Sequence, residues 1–78
     1  MKNWNITARG KTQAECLEDL STLLPEVDEA LADKILVAAS TMLNPLPDDH
    51  PKGYWINTNG LLLDDGTGSA AVMAGTTT

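Results

Sequence analysis

Few side chains in this sequence could do covalent or acid–base chemistry. Cys16 is the only cysteine and His50 the only histidine among the 78 residues. Catalysis needs a nucleophile or an acid–base group that neighbouring side chains orient inside a cleft. No serine, cysteine or carboxylate stands at a recognisable spacing from His50, and Cys16 falls within an apolar helical pattern, which indicates a buried thiol. We therefore expect no catalytic residues and no enzymatic activity.

Two glycine-containing segments partly match phosphate-binding sequence motifs but lack residues that those motifs require. Gly10-Lys11-Thr12 follows a predicted strand, but Asn5 occupies the position of the first glycine in a P-loop. Residues 66–71 fit a loose dinucleotide fingerprint, although their glycines are better explained as turn residues that reach positive φ without steric cost. We expect turns at both places, and no nucleotide cofactor.

Two pairs of neighbouring carboxylates could suggest a metal site. Asp48 and Asp49 precede His50, and Asp64 and Asp65 precede Gly66. A calcium loop of the EF-hand type needs oxygen ligands at alternating positions and a terminal glutamate, which neither segment provides. We expect exposed, solvated carboxylates and no metal.

The charge of the chain bears most directly on binding. Eleven Asp and Glu against five Lys and Arg give a net charge of −6, which repels nucleic acid and anionic membranes and favours basic surfaces. We hypothesise that the outward faces of two helices and a nearby loop contact a basic protein partner. The alternative is a face that only keeps the protein soluble. The candidate partner-binding residues are Glu15, Glu18, Asp19, Glu26, Glu29, Asp33, Asp48, Asp49, Tyr54 and Trp55.

The elements that position these residues begin with a strand and two helices. Polar and apolar residues alternate over 3–9, which predicts a half-buried strand. Thr12 and Glu15 form a capping box that starts a helix at Gln13. Pro25 ends that helix and begins a second one, whose apolar pattern continues to Leu43.

The second half of the chain predicts strands and turns. Prolines make 44–53 a loop, 54–58 reads as a strand, and Asn59-Gly60 is a strong two-residue hairpin signal before a return strand at 61–64. After a turn at 65–68, we favour a strand at 69–74 over a short helix.

The predicted fold class is α+β, with two helices on one face of a small, mostly antiparallel sheet in the order β-α-α-β-β-β. It forms a single domain over 1–75 with a frayed tail at 76–78.

The expected surroundings of the protein follow from size and hydropathy. A domain of 78 residues has a small core, and the second helix is apolar over more than half its circumference. We expect a second copy or a larger partner to cover part of it. No run of about 18 apolar residues and no signal peptide is present, so we expect a cytoplasmic protein without a membrane partner.

Small size, acidity and the strand and capped helix from Trp4 to Leu20 resemble the small accessory proteins of bacteriophages, including anti-CRISPR and other anti-defence proteins. The resemblance implies a location in the bacterial cytoplasm and steric or electrostatic blocking of a host complex that handles nucleic acid. Two other functions stay open. One is an oligomer that buries a small ligand, such as a nucleotide, between subunits, and the other is a small phage structural or assembly protein.

Overall fold

The computed structural model describes all residues, 1–78, and contains two helices and three strands. In chain order these are β1 (Lys2–Gly10), α1 (Gln13–Leu23), α2 (Glu29–Leu43), β2 (Tyr54–Leu62) and β3 (Gly68–Thr76). The strands form one antiparallel sheet in the order β1-β2-β3. α1 packs mainly on β1 and α2 on β3, both against the same face of the sheet. The predicted α+β class, with two helices on one face of an antiparallel sheet, is confirmed.

The start of α1 follows the predicted capping box. The Thr12 hydroxyl accepts a hydrogen bond from the Glu15 amide at 3.0 Å, and the Glu15 carboxylate accepts one from the Lys11 amide at 3.3 Å. These bonds satisfy two amides at the end of the helix, where no intrahelical partner exists. Gly10 ends β1, and Lys11-Thr12 forms the turn and the helix cap that the sequence predicted after it.

The second helix begins later than predicted, at Glu29 instead of Pro25. Asp28 is its N-cap, and the Asp28 side chain accepts a hydrogen bond from the Leu31 amide at 2.8 Å. The Asp28 amide also donates to the carbonyl of Gly66 at 2.7 Å, in the turn between β2 and β3. This tertiary bond and the strong capping tendency of Asp hold the preceding residues outside the helix.

The predicted hairpin turn at Asn59-Gly60 is wrong. Both residues lie inside β2, where Asn59 pairs with Asn5 and Ala71 on the two sides. A glycine suits this position because a Cβ on Gly60 would collide with the carbonyl oxygen of Ser69. One continuous strand therefore replaces the two that were predicted over 54–64, since pairing along both edges outweighs the local turn preference.

The hairpin turn instead lies at 63–67, between β2 and β3, with Gly66 at φ +86°. The strand predicted at 69–74 is confirmed, and it extends to Thr76, which pairs with Tyr54. Thr77 also donates its amide to the Gly53 carbonyl at 2.9 Å. The prediction of a frayed tail at 76–78 is therefore wrong for Thr76 and Thr77, which are held by the sheet and by this bond.

The core lies between the helices and the covered face of the sheet. Alternation puts the even-numbered side chains of β1, β2 and β3 on this face. Cys16 is fully buried there, with its thiol 3.7 Å from the Ala8 carbonyl oxygen. The buried apolar residues are Ala8, Cys16, Leu20, Ile35, Ala39, Leu43, Tyr54 and Ile56.

Candidate partner-binding surfaces

The acidic residues of the two helices lie at opposite ends of the helical layer. The Gln13 side chain near the start of α1 donates to the Leu46 carbonyl at 3.4 Å, just beyond the end of α2. The start of α2 contacts the β2–β3 turn through Asp28. The helices therefore run in opposite directions. The carboxylates that the sequence analysis assigned to the outward faces of the two helices therefore form two separate groups. These are an α1 patch (Glu15, Glu18, Asp19) and an α2 patch (Glu29, Asp33 and Glu26, which precedes the helix).

The α1 patch borders a shallow depression of about 330 Å³ beside β1. Two of its three carboxylates already have structural roles. Asp19 accepts a hydrogen bond from the Arg9 amide at 2.9 Å, and Glu15 belongs to the capping box. Glu18 is exposed, and its carboxylate accepts no hydrogen bond. Glu18 is thus the member of this patch best placed to contact a partner.

The α2 patch is joined by acidic residues from the distant β2–β3 turn. Glu26 and Asp64 line one depression of about 310 Å³. Asp65 follows on the same turn, where hydrogen bonds from the Thr67 hydroxyl and amide lower the pKa of its carboxyl. Sequence reasoning did not place the turn carboxylates near Glu26, because only the tertiary contact between the start of α2 and the turn brings them together.

The carboxylates carry almost no compensating ion pairs. The chain has a single ion pair, between the terminal ammonium of Met1 and the Asp64 carboxylate at 3.4 Å. No Lys or Arg side chain lies within 4.0 Å of an Asp or Glu carboxylate. The charge on both acidic patches therefore remains available to an external cation.

The remaining predicted residues lie in the loop between α2 and β2 and at the start of β2. Asp48 and Asp49 are exposed. Tyr54 is only 1% exposed and donates its hydroxyl to the Pro47 carbonyl, so the prediction that Tyr54 contacts a partner is wrong. The reason is strand parity, which points Tyr54 into the core and the neighbouring Trp55 to the opposite face.

Trp55 lies on the sheet face that no helix covers. Its indole ring lies against Gly75 on β3, and the indole N–H donates to the Thr76 carbonyl at 3.2 Å. Arg9 is its cross-strand neighbour on β1. A shallow depression of about 550 Å³ is lined by Trp55, Arg9, Asn57 and Thr76, among others.

An amide network continues along this open face. Asn57 donates through its side chain to the Asn5 side-chain oxygen at 2.7 Å and to the Thr7 hydroxyl at 3.2 Å. Asn59 donates to the Asn57 side-chain oxygen at 2.9 Å. Sequence analysis did not identify this surface. The polar residues that alternate with apolar ones in β1 indicated a polar sheet face. The turn wrongly predicted at Asn59 hid the same alternation in β2.

The two side chains with reactive chemistry are separate and differ in accessibility. Burial, and secondarily the charge of Asp19, raises the pKa of the Cys16 thiol to about 11, which keeps the thiol protonated and unreactive at neutral pH. His50 Nδ1 accepts a hydrogen bond from the Lys52 amide at 3.4 Å. The centroids of the His50 and Tyr54 rings are 6.3 Å apart. No three His, Cys, Asp or Glu side chains converge to hold a metal ion.

Neither helix has the length and apolar character that crossing a membrane requires. No protein-family profile matches the sequence, and no curated protein or solved structure shows significant similarity to it.

Proposed function

We propose that this protein is a non-enzymatic binding protein whose acidic patches contact a basic surface of a larger protein and block it. The observation that carries the proposal is the near absence of internal ion pairing, with eleven carboxylates in the chain and one ion pair, to the terminal ammonium. Exposed carboxylates without a cation attract a complementary surface over a distance of about one Debye length, roughly 8 Å at physiological salt.

The most suitable target is a protein surface that normally holds nucleic acid. Such surfaces present Lys and Arg to phosphate, and carboxylates on a helix offer the same sign of charge to the same groups. A net charge of −6 meanwhile disfavours direct contact with nucleic acid. Mutually exclusive binding of this protein and the nucleic acid would make it an inhibitor, as the likeness to phage anti-defence proteins implies.

The carboxylates that best serve this role are exposed and have no structural task. Glu29 and Asp33, one helical turn apart on α2, meet both conditions, and Glu18 does so on α1. Glu15 and Asp19 contribute less, because their oxygens accept backbone hydrogen bonds. We therefore expect the α2 patch to dominate binding.

Two variants with equal loss of charge test the proposal. Glu29→Gln/Asp33→Asn changes the α2 patch, and Asp48→Asn/Asp49→Asn changes the loop by the same two charges. The tagged proteins are used to capture partners from a bacterial lysate at low and high salt, and bound proteins are identified by mass. The affinity for the identified partner is then measured with and without a competing DNA duplex.

The proposal predicts a captured protein that is released by high salt and displaced by DNA. The α2 variant should bind it about three- to thirtyfold more weakly, from about 0.3–1 kcal/mol for each charge, and the loop variant less than threefold. Binding that is indifferent to salt and to both variants would refute an electrostatic interface. An equal loss in both variants would show that net charge, and not the α2 patch, determines binding.

A further inference from the structure

The outer edge of β3 presents backbone groups without partners. The Leu63 amide donates to the Thr67 carbonyl, and the Thr77 amide to the Gly53 carbonyl. These two bonds show which residues of β3 are hydrogen-bonded to β2. The backbone groups of the odd-numbered residues bond to β2, and those of the even-numbered residues point outward, away from the sheet. The outward-facing residues are Gly68, Ala70, Val72, Ala74 and Thr76. Of their backbone groups, the Thr76 carbonyl accepts a side-chain hydrogen bond, from Trp55.

The other edge of the sheet, on β1, is protected. Lys2 and Arg9 place charges on that strand, and the outward-facing Arg9 amide already donates to the Asp19 carboxylate at 2.9 Å. Charged side chains and capped backbone groups are the usual means by which edge strands avoid further pairing. β3 has no charged residue and no proline along its nine positions, so it lacks these means.

An apolar groove follows the same edge. Leu31, Ala38 and Met42 of α2 face Ala70 and Val72 of β3 across a depression of about 500 Å³, which Lys34 also lines. Met42 is 43% exposed, although it lies on the side of α2 nearest the sheet edge. Part of the apolar surplus of α2 noted in the sequence thus lies next to the open strand, whereas Val37, which is 65% exposed, does not line the groove. A partner strand on β3 would bring its own flanking surface over this groove.

We propose that a second copy of the chain pairs with β3 through its own β3, in antiparallel orientation, with Val72 at the two-fold axis. Outward-facing residues must pair with outward-facing residues, which requires the axis to pass through a residue and not between two residues. Only Val72, the central residue, lets all nine residues of both strands overlap. In this register Ala70 of one copy pairs with Ala74 of the other.

A second copy suits this edge better than an unrelated strand for two reasons. The zero charge of β3 lets the two strands pair without placing like charges opposite each other, despite a net charge of −6 on each copy. A two-fold axis perpendicular to the sheet also puts both α2 helices on the same face, side by side. Each groove follows residues 68–72 of its own β3, so the two grooves adjoin at the axis, near Val72.

The available area is sufficient for a dimer. A nine-residue strand is about 30 Å long, and the molecule is 17–18 Å thick in its two shorter directions. The edge therefore offers roughly 500 Å² for each copy, or about 1,000 Å² in total, which is close to the lower limit for a specific interface. This dimer involves neither acidic patch and does not depend on the function proposed above.

Proline substitution tests the pairing without breaking the existing sheet. Ala70→Pro removes an amide that faces away from β2, and Asn3→Pro does the same on the outer edge of β1, so the second variant is a matched control. Sedimentation equilibrium of the full chain should give twice the 8.3 kDa monomer mass. Ala70→Pro should weaken the dimer at least about tenfold in Kd, and Asn3→Pro should not. Far-UV circular dichroism checks that each variant is folded.

Single cysteines test the register. In the proposed dimer the two Val72 Cα atoms are about 5.5 Å apart, within the range that a disulfide bridges, whereas the two Ala70 Cα atoms are about 13 Å apart. Val72→Cys should form a covalent dimer under mild oxidation, while Ala70→Cys and the native chain, whose Cys16 is buried, should not. A monomeric mass up to about 500 µM, or a dimer that resists Ala70→Pro and fails to cross-link at position 72, would overturn the proposal.

Discussion

The buried thiol makes the stability of this protein sensitive to alkaline pH. Cys16 is fully buried, and its pKa is raised from 9.0 to about 11, chiefly because burial disfavours the thiolate. The unfolded chain therefore releases this proton at lower pH than the folded protein does. The stability associated with the protonated thiol is complete below pH 9 and is lost as the pH rises toward 11. Replacing Cys16 by alanine should remove this dependence.

The size of the effect follows from the two pKa values. At pH 10 the unfolded thiol is mostly ionised and the folded thiol mostly protonated, which costs the native state about 1.4 kcal/mol relative to pH 7. A chain of 78 residues has a total stability of about 4–12 kcal/mol, so the loss is measurable. It corresponds to a decrease of about 6–11 °C in Tm. Cys16→Ala should itself cost about 1–2 kcal/mol at pH 7, because it leaves a small cavity in the core.

Urea unfolding at pH 7 and pH 10, with one protein concentration for both chains, measures the effect. The two proteins differ only at position 16, so the difference between their pH dependences isolates the thiol. The native chain should lose about 1.4 kcal/mol more than Cys16→Ala between these pH values. Equal losses, or reaction of the native thiol with Ellman's reagent at pH 8 as fast as free cysteine, would refute the reasoning.

Two further predictions concern the contacts that hold the loop and the open sheet face. Tyr54→Phe should reduce the free energy of unfolding by about 1 kcal/mol, because the buried hydroxyl donates to the Pro47 carbonyl; an unchanged urea midpoint would show that this bond adds nothing. Gly75→Ala should lower stability by about 1 kcal/mol, because its Cβ would lie 2.9 Å from the Trp55 ring. The indole N–H resonance of Trp55 should shift as well, and an unmoved resonance would place the ring elsewhere.

Local signals in the sequence predicted the first half of the fold well. The alternation in β1 and the capping box at Thr12 depend on residues within one strand or one helical turn, and both are found as expected. The start of α2 was misjudged, because the amide of Asp28 bonds to Gly66, 38 positions away. The Asn59-Gly60 turn failed for a related reason, since pairing with β1 and β3 keeps both residues extended.

The candidate surfaces were only partly predictable. The sequence identified the carboxylates by type and their helices by periodicity, but it could not set the two helices antiparallel or separate the acidic residues into two patches. The open edge of β3 requires knowledge of strand order, which no local pattern encodes. The same is true of Trp55 and Arg9, which become neighbours only when β1 pairs with β2.

The sequence by itself determined the α+β class, the boundaries of α1, the burial of Cys16 and the excess of negative charge, because each depends on residue type and short-range periodicity. The tertiary structure decided which strands lie at the sheet edges, which acidic residues come together, and that Tyr54 is buried while Trp55 faces the open side. These features depend on contacts between residues far apart in the chain, where the free energy of packing and of strand pairing exceeds local preferences of about 1 kcal/mol.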